Sequence, residues 1–142
     1  MTGTYIIAEC GQNHNGSVEL GIEMIKMAAS HIYHGGKRLP GCNAVKFQKR
    51  DLTEEMSADE YTKPYPGKNS YGETYGKHRE ALELTDNEHH GLFLTARAYG
   101  LDFIETVCSS GALSILKLFT PDYLKIASRD LNNIPLLEAV AE

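Results

Sequence analysis

Two lysines stand inside short apolar runs, Lys46 in Ala44-Val-Lys-Phe-Gln48 and Lys125 in Tyr123-Leu-Lys-Ile-Ala127. An ammonium group is costly to bury without a partner. In an extended strand alternate residues share a face. Lys46 then lies with Gln48, opposite Val45 and Phe47. Lys125 lies with Tyr123 and Ala127, opposite Leu124 and Ile126. Glu9 shares a face with Ile7, and Thr106 with Ile104. Each run thus carries a polar group at or near its end. Two lysines at one sheet edge repel each other unless an anion lies between them. With Thr106 and Ser128 as hydroxyl donors, Lys46 and Lys125 suit a phosphate or a carboxylate. Glu9 can offset one positive charge or act as an acid or base. The competing reading is a lysine at an exposed edge with its stem on the sheet.

These residues need a scaffold of alternating elements. Tyr5–Glu9 reads as a strand. Val18–Ser30 reads as a helix after a Ser17 cap, with Leu20, Met24, Met27 and Ala28 on one face. His31–Gly41 reads as a polar connector, and Ala44–Gln48 as the second strand. Residues 49–84 are irregular, with tyrosines at 61, 65, 71 and 75 that favour a packed loop. Thr85-Asp-Asn-Glu88 has capping-box spacing and opens a helix with Leu92, Phe93 and Ala96 on one face, ending at Gly100. Leu101–Glu105 is the third strand, Ser110–Phe119 a helix, Tyr123–Ala127 the fourth strand. Asn133 and Pro135 open a last helix. Four strand–helix units predict a parallel sheet with right-handed crossovers. A doubly wound open sheet and half of a (β/α)8 barrel, which needs ~250 residues, both fit. Ligands of either architecture bind at the carboxyl ends of the strands.

Composition narrows the function. Fourteen Lys and Arg against nineteen Asp and Glu give a net charge of −5, with no overall attraction for nucleic acid or an acidic membrane. No run approaches the ~20 apolar residues of a membrane helix, and no signal segment opens the chain. Both observations favour the cytoplasm. Cys10, Cys42 and Cys108 are odd in number and far apart, so reduced thiols are expected. His31 and His34, and the adjacent His89 and His90, are too few in each place for a metal site and read as surface residues. His14, in Asn13-His-Asn-Gly16, follows the first strand on a loop of the kind that carries function, although Asn and Gly also suit a plain turn. The tyrosines could stack on a sugar or simply pack their own loop.

Four blocks together resemble the sialic acid synthase family, the N-acetylneuraminate synthases with their legionaminate and pseudaminate relatives. They are Ile6-Ile-Ala-Glu-Cys-Gly-Gln-Asn-His-Asn-Gly16, Ala44-Val-Lys-Phe-Gln48, Thr74-Tyr-Gly-Lys-His-Arg-Glu-Ala-Leu-Glu-Leu84 and Leu124-Lys-Ile-Ala-Ser-Arg-Asp-Leu-Asn-Asn-Ile-Pro-Leu136. The resemblance implies an α/β fold of the (β/α)8 TIM-barrel type. Residues 1–142 would be its N-terminal half, four βα units, with the family's antifreeze-like C-terminal domain absent. It implies a homodimer in the complete enzyme. It implies condensation of phosphoenolpyruvate with an N-acyl hexosamine such as N-acetylmannosamine, giving a nine-carbon 2-keto sugar acid and phosphate. A divalent metal, manganese or magnesium, would polarise the sugar aldehyde, and its ligands would lie outside this chain. On the same ground Glu9, Lys46, Lys125 and Asp130 are expected to be catalytic. Gln48, Asn69, Tyr75, Thr106 and Ser128 are expected to bind substrate.

The chain departs from the family pattern in three respects. It stops after the fourth unit, so this fragment alone is expected to be inactive. The connector His31–Cys42 is longer than usual. Arg129 stands where many members carry Gly. A different phosphate-binding barrel enzyme, such as an aldolase, would not need the Asn-His-Asn-Gly loop or the Ser-Arg-Asp-Leu-Asn-Asn block. A non-catalytic or split-gene half-barrel is the remaining alternative.

Overall fold

A computed structural model describes residues 4–141; Met1–Gly3 and Glu142, which belong to the 1–142 domain reading, lie outside the described residues. The main sheet holds four parallel strands: β1 (Ile7–Gly11), β4 (Ala44–Lys49), β5 (Asp102–Val107) and β6 (Tyr123–Ile126), in that order. Strand order follows chain order and never reverses. A doubly wound sheet reverses at its switch point, so the topology is that of a barrel wall, with half of the eight strands that closure takes.

All the covering elements share one core on one face of the sheet. They are α1 (Val18–Ala29), α5 (Asp86–Ala98), a 3-10 helix (Gly111–Lys117) and α6 (Ile134–Ala141). Val45, Phe47, Phe103 and Val107 face Ile25, Leu92, Ala96, Ile115 and Leu136, all fully buried. The Phe47 and Phe103 rings stack at 5.5 Å. The opposite, concave face carries Lys46, Gln48, Ile104, Thr106 and Lys125, the face assigned to them by alternation.

The expected face of α1 holds for Met24 and Ala28, which pack against the core, and is corrected for Leu20 and Met27, which are 47% and 75% exposed. The buried face runs through Gly21 and Ile25, flanked by Val18, Ile22, Met24, Ala28 and Ala29. The cause is close helix packing. A Cβ at Gly21 would lie 2.8 Å from Leu92 Cδ2, so any larger residue here would force the buried Leu92 side chain to shift. Ser17 caps α1 through Leu20 N, and Thr85 and Glu88 form the capping box of α5.

Three further elements differ from expectation. The connector His31–Gly41 contains an exposed hairpin, β2 (Ile32–His34) against β3 (Lys37–Leu39). Gly35 and Gly36 have φ of +57° and +73°, which a two-residue turn of this hand requires. The helix expected at Ser110–Phe119 is the 3-10 segment, whose three-residue turn buries Ala112 and Ile115. Residues 49–84 hold three short helices, α2 (Leu52–Glu55), α3 (Ala58–Tyr61) and α4 (Tyr75–Glu80). Around them the tyrosines pack their own loop, with Tyr65 and Tyr71 centred 4.6 and 5.8 Å from the ring of buried His78. Among the described residues no helix is long and apolar enough to cross a membrane. Cys10 and Cys108 are buried and free, and Cys42 is partly exposed. Burial pushes the Cys10 thiol up to about 11, which keeps it protonated and unreactive.

Candidate active site

Strand register sets the concave face in two rows. Glu9, Lys46, Ile104 and Tyr123 form one, and Gln48, Thr106 and Lys125 the next toward the carboxyl ends. Lys46 and Lys125 are therefore two residues apart along the strand direction and two strands apart across it. Strand rise and spacing put their Cα atoms roughly 12 Å apart, room for a small dianion between two extended side chains. Lys46 is mostly buried and pairs with Glu9, whose side chain is half exposed. Lys125 has no carboxylate partner among the described residues.

Thr106 lies between Gln48 and Lys125 in that second row. It is 3% exposed, and its Oγ1 has no hydrogen-bond partner. Buried hydroxyls are almost always satisfied, so this one is free to donate to a further group. The Gln48 amide lies beside Gly11. A Cβ built on Gly11, at the end of β1, would lie 3.5 Å from Gln48 Nε2 and 3.6 Å from Glu9 Oε1. Ser128 opens a 3-10 turn (Ser128–Asp130) directly after β6; its residue is exposed, while Asp130 is buried.

The loops beyond the strand ends are joined by a polar network that the residue pattern did not reveal. Gln12 Nε2 donates to Glu83 Oε1, and Arg79 Nη1 donates to Gln12 Oε1 at 3.2 Å. Glu83 Oε2 accepts from the Arg50 backbone N at 3.3 Å. Burial pushes the Glu83 carboxyl above its ordinary range. Arg50 Nη1 pairs with Glu55 at 2.6 Å, and Glu55 pairs in turn with Arg129. Beside this network is a polar cleft of about 420 Å³ lined by Glu54, Glu55, Ser109, Ser110, Arg129 and Asp130. Tyr75 joins the network indirectly, since Arg79 lies 5.7 Å over its ring. Asn69 is exposed on the loop before α4, with no hydrogen bond to the strand-end residues.

A second polar group lies on the other face of the sheet, under α5. The expectation for His89 is corrected here: it is fully buried, and its Nδ1 sits 2.9 Å from Glu105 Oε2, also fully buried. The signal was legible. Glu105 alternates with Phe103 and Val107, and His89 precedes Leu92 and Ala96 by three and seven residues on the inner face of α5. His31 and His34 are exposed as expected.

His14 is also buried, 1% exposed, and accepts at Nδ1 from Gly16 N at 3.2 Å. Burial, reinforced by neighbouring His89, lowers it to about 4. The unfolded chain binds that proton near 6.5. The stabilisation is complete above pH 6.5 and is lost as pH falls through 6.5 to 4. The expected loss is about 3 kcal/mol. Urea melts at pH 4 to 7 should show this slope in the parent and not in His14→Gln. Equal slopes in the two would contradict it.

Residues 37–142 match the NeuB family. The chain belongs to that family. It is 35% identical over 141 residues to N-acetylneuraminate-9-phosphate synthase of Drosophila melanogaster, covering 99% of this chain and 36% of that protein. The human protein of the same name is 33% identical over 138 residues, 97% and 36% of the two chains. N,N'-diacetyllegionaminic acid synthase of Legionella pneumophila is 31% identical over 141 residues, 96% and 36%. Among solved structures, N-acetylneuraminic acid (sialic acid) synthetase of Leptospira borgpetersenii superposes with a TM-score of 0.70 at 30% identity. It covers 99% of this chain and 41% of that one. The NeuB-family chain thus spans about a third of the length of its curated relatives.

Proposed function

We propose that this chain forms the phosphoenolpyruvate-binding part of a sialic acid synthase-type enzyme. The reaction joins phosphoenolpyruvate to an N-acyl hexosamine, giving a nine-carbon 2-keto sugar acid and phosphate. One observation carries the reading: the buried, unpartnered Thr106 hydroxyl beside Lys125 and Gln48, one row above the Lys46–Glu9 pair. Lys125 is the neighbour of Thr106 on β6, and Lys46 lies one row below on β4. The relatives' names supply the reaction class.

In this reading Lys46 and Lys125 neutralise the phosphate and carboxylate, and Thr106 and Ser128 donate hydrogen bonds to the same anion. Glu9 holds the Lys46 ammonium in place. The enol carbon attacks the open-chain aldehyde carbon, and the carbonyl π electrons move to the aldehyde oxygen. Water adds to the resulting C2 cation and gives a proton to Asp130, which passes it to the oxygen derived from the aldehyde. The bond from C2 to the phosphate oxygen then breaks with its electron pair on phosphate, while the C2 hydroxyl gives its proton to that phosphate and becomes the ketone. Gln48, with Asn69 and Tyr75 in the covering loop, contacts the sugar. The working protein is a cytoplasmic homodimer with a divalent metal, manganese or magnesium. Among the described residues no three His, Cys, Asp or Glu side chains converge as a metal set. The residues present do not fit that metal, whose ligands are expected outside this chain.

The test is a product assay on the gene product that carries these residues. Phosphoenolpyruvate with N-acetylmannosamine, or in parallel its 6-phosphate and other N-acyl hexosamines, should yield equimolar phosphate and 2-keto acid by mass spectrometry. Phosphate release without the condensed acid would reject the reading. Gln48→Ala should raise the sugar KM or lower kcat about tenfold, the worth of one hydrogen bond, with phosphoenolpyruvate affinity unchanged. A loss of phosphoenolpyruvate affinity in that variant would move Gln48 into the anion site.

A further inference from the structure

We propose that Arg129 is a positioning residue for Asp130, held in place by the buried carboxylate of Glu55. The proposal rests on the reading of Asp130 given above. Glu55 lies on α2, after β4, and its side chain is 8% exposed. Its Oε2 takes two guanidinium groups, Arg50 Nη1 at 2.6 Å and Arg129 Nη2. Arg129 Nε donates to Asp130 Oδ2 at 3.2 Å, and its Nη2 also reaches the Cys108 carbonyl at 3.4 Å. One guanidinium therefore ties together the loops after β4, β5 and β6.

Adjacency in sequence does not explain the contact. Neighbouring side chains on a 3-10 turn diverge by about 120°, so Arg129 turns back onto Asp130 only because its far end is anchored. The anchor, Glu55, is 74 residues away in the chain. The backbone of Asp130 is already fixed, its N–H on Ala127 O at 2.9 Å and its carbonyl receiving Asn133 N at 3.0 Å. What remains free is the carboxylate, and Arg129 Nε holds it. The guanidinium also separates two buried carboxylates, Glu55 and Asp130, that would otherwise repel each other. A lysine carries its donors only at the tip of the side chain and has none at the position of Arg129 Nε, the one that reaches Asp130.

The test is a cycle of Arg129→Lys, Asp130→Asn and the double variant in the gene product that carries these residues. Arg129→Lys should lower kcat about tenfold or more, as small misplacements of a reacting group do, with the substrate KM values within about twofold. In the Asp130→Asn background it should have no further effect. Equal losses in both backgrounds, or unchanged kcat, would overturn the proposal. If Asp130→Asn alone keeps full turnover, the role of Asp130 fails and not the clamp. The clamp is read separately, and at any level of turnover, by crystal structures of Arg129→Lys and Glu55→Gln. In each the Asp130 carboxylate should leave its place or become disordered while the backbone turn stays intact. An Asp130 carboxylate unmoved and ordered in both variants would overturn the clamp itself.

Discussion

Lys125→Met is expected to abolish turnover and to weaken phosphoenolpyruvate binding by about 10- to 150-fold, the equivalent of ~1.5–3 kcal/mol for a hydrogen bond to a charged group. The lysine stands next to Thr106 across the sheet and has no carboxylate partner among the described residues. Removing its charge frees no buried acid. Methionine keeps the apolar stem, so packing against the sheet is retained. Lys46 differs, because Lys46→Met would leave Glu9 without its partner. Titration calorimetry is the measurement. Unchanged phosphoenolpyruvate affinity in Lys125→Met would remove this residue from the anion site.

His89→Ala should destabilise the fold by roughly 3–5 kcal/mol, the cost of breaking a buried pair by removing one partner. Native domains have only about 5–15 kcal/mol in hand, so the loss is a large share of the total. Glu105 would be left in the helix–sheet layer with both oxygens unpartnered, since Oε1 already has no partner. Burial raises the Glu105 carboxyl above its ordinary range. The folded state therefore favours the neutral acid, and the penalty shrinks as pH falls. The double variant His89→Leu/Glu105→Leu should recover most of the loss. Urea melts at pH 7 decide it. A cost below about 1 kcal/mol would show that Glu105 does not depend on His89.

Local rules made much of the fold legible. Ser17 and Thr85 mark helix starts because an N-cap needs only the next three residues. Alternation placed Lys46, Gln48, Thr106 and Lys125 on one face because the strand period is fixed at two. What was not legible depends on partners far along the chain. Leu20 and Met27 had the right spacing for a buried face, but Leu92 of α5 selects the face that bears Gly21. The strand-end residues suggested an anion site, whereas the loops above them are fixed by Gln12–Glu83 and Glu55–Arg129, contacts 71 and 74 residues apart. Nothing in the local sequence of Arg129 says that its partner is on α2. His89 is an intermediate case. Its place on the inner face of α5 could be read, but its tolerance there depends on Glu105 one strand away.

The most direct test of the account is a crystal structure of the chain with phosphoenolpyruvate bound. The ligand should lie on the concave face between Lys46 and Lys125, with one of its oxygens accepting a hydrogen bond from Thr106 Oγ1. Phosphoenolpyruvate bound elsewhere on the chain, with Thr106 Oγ1 still unpartnered, would contradict it.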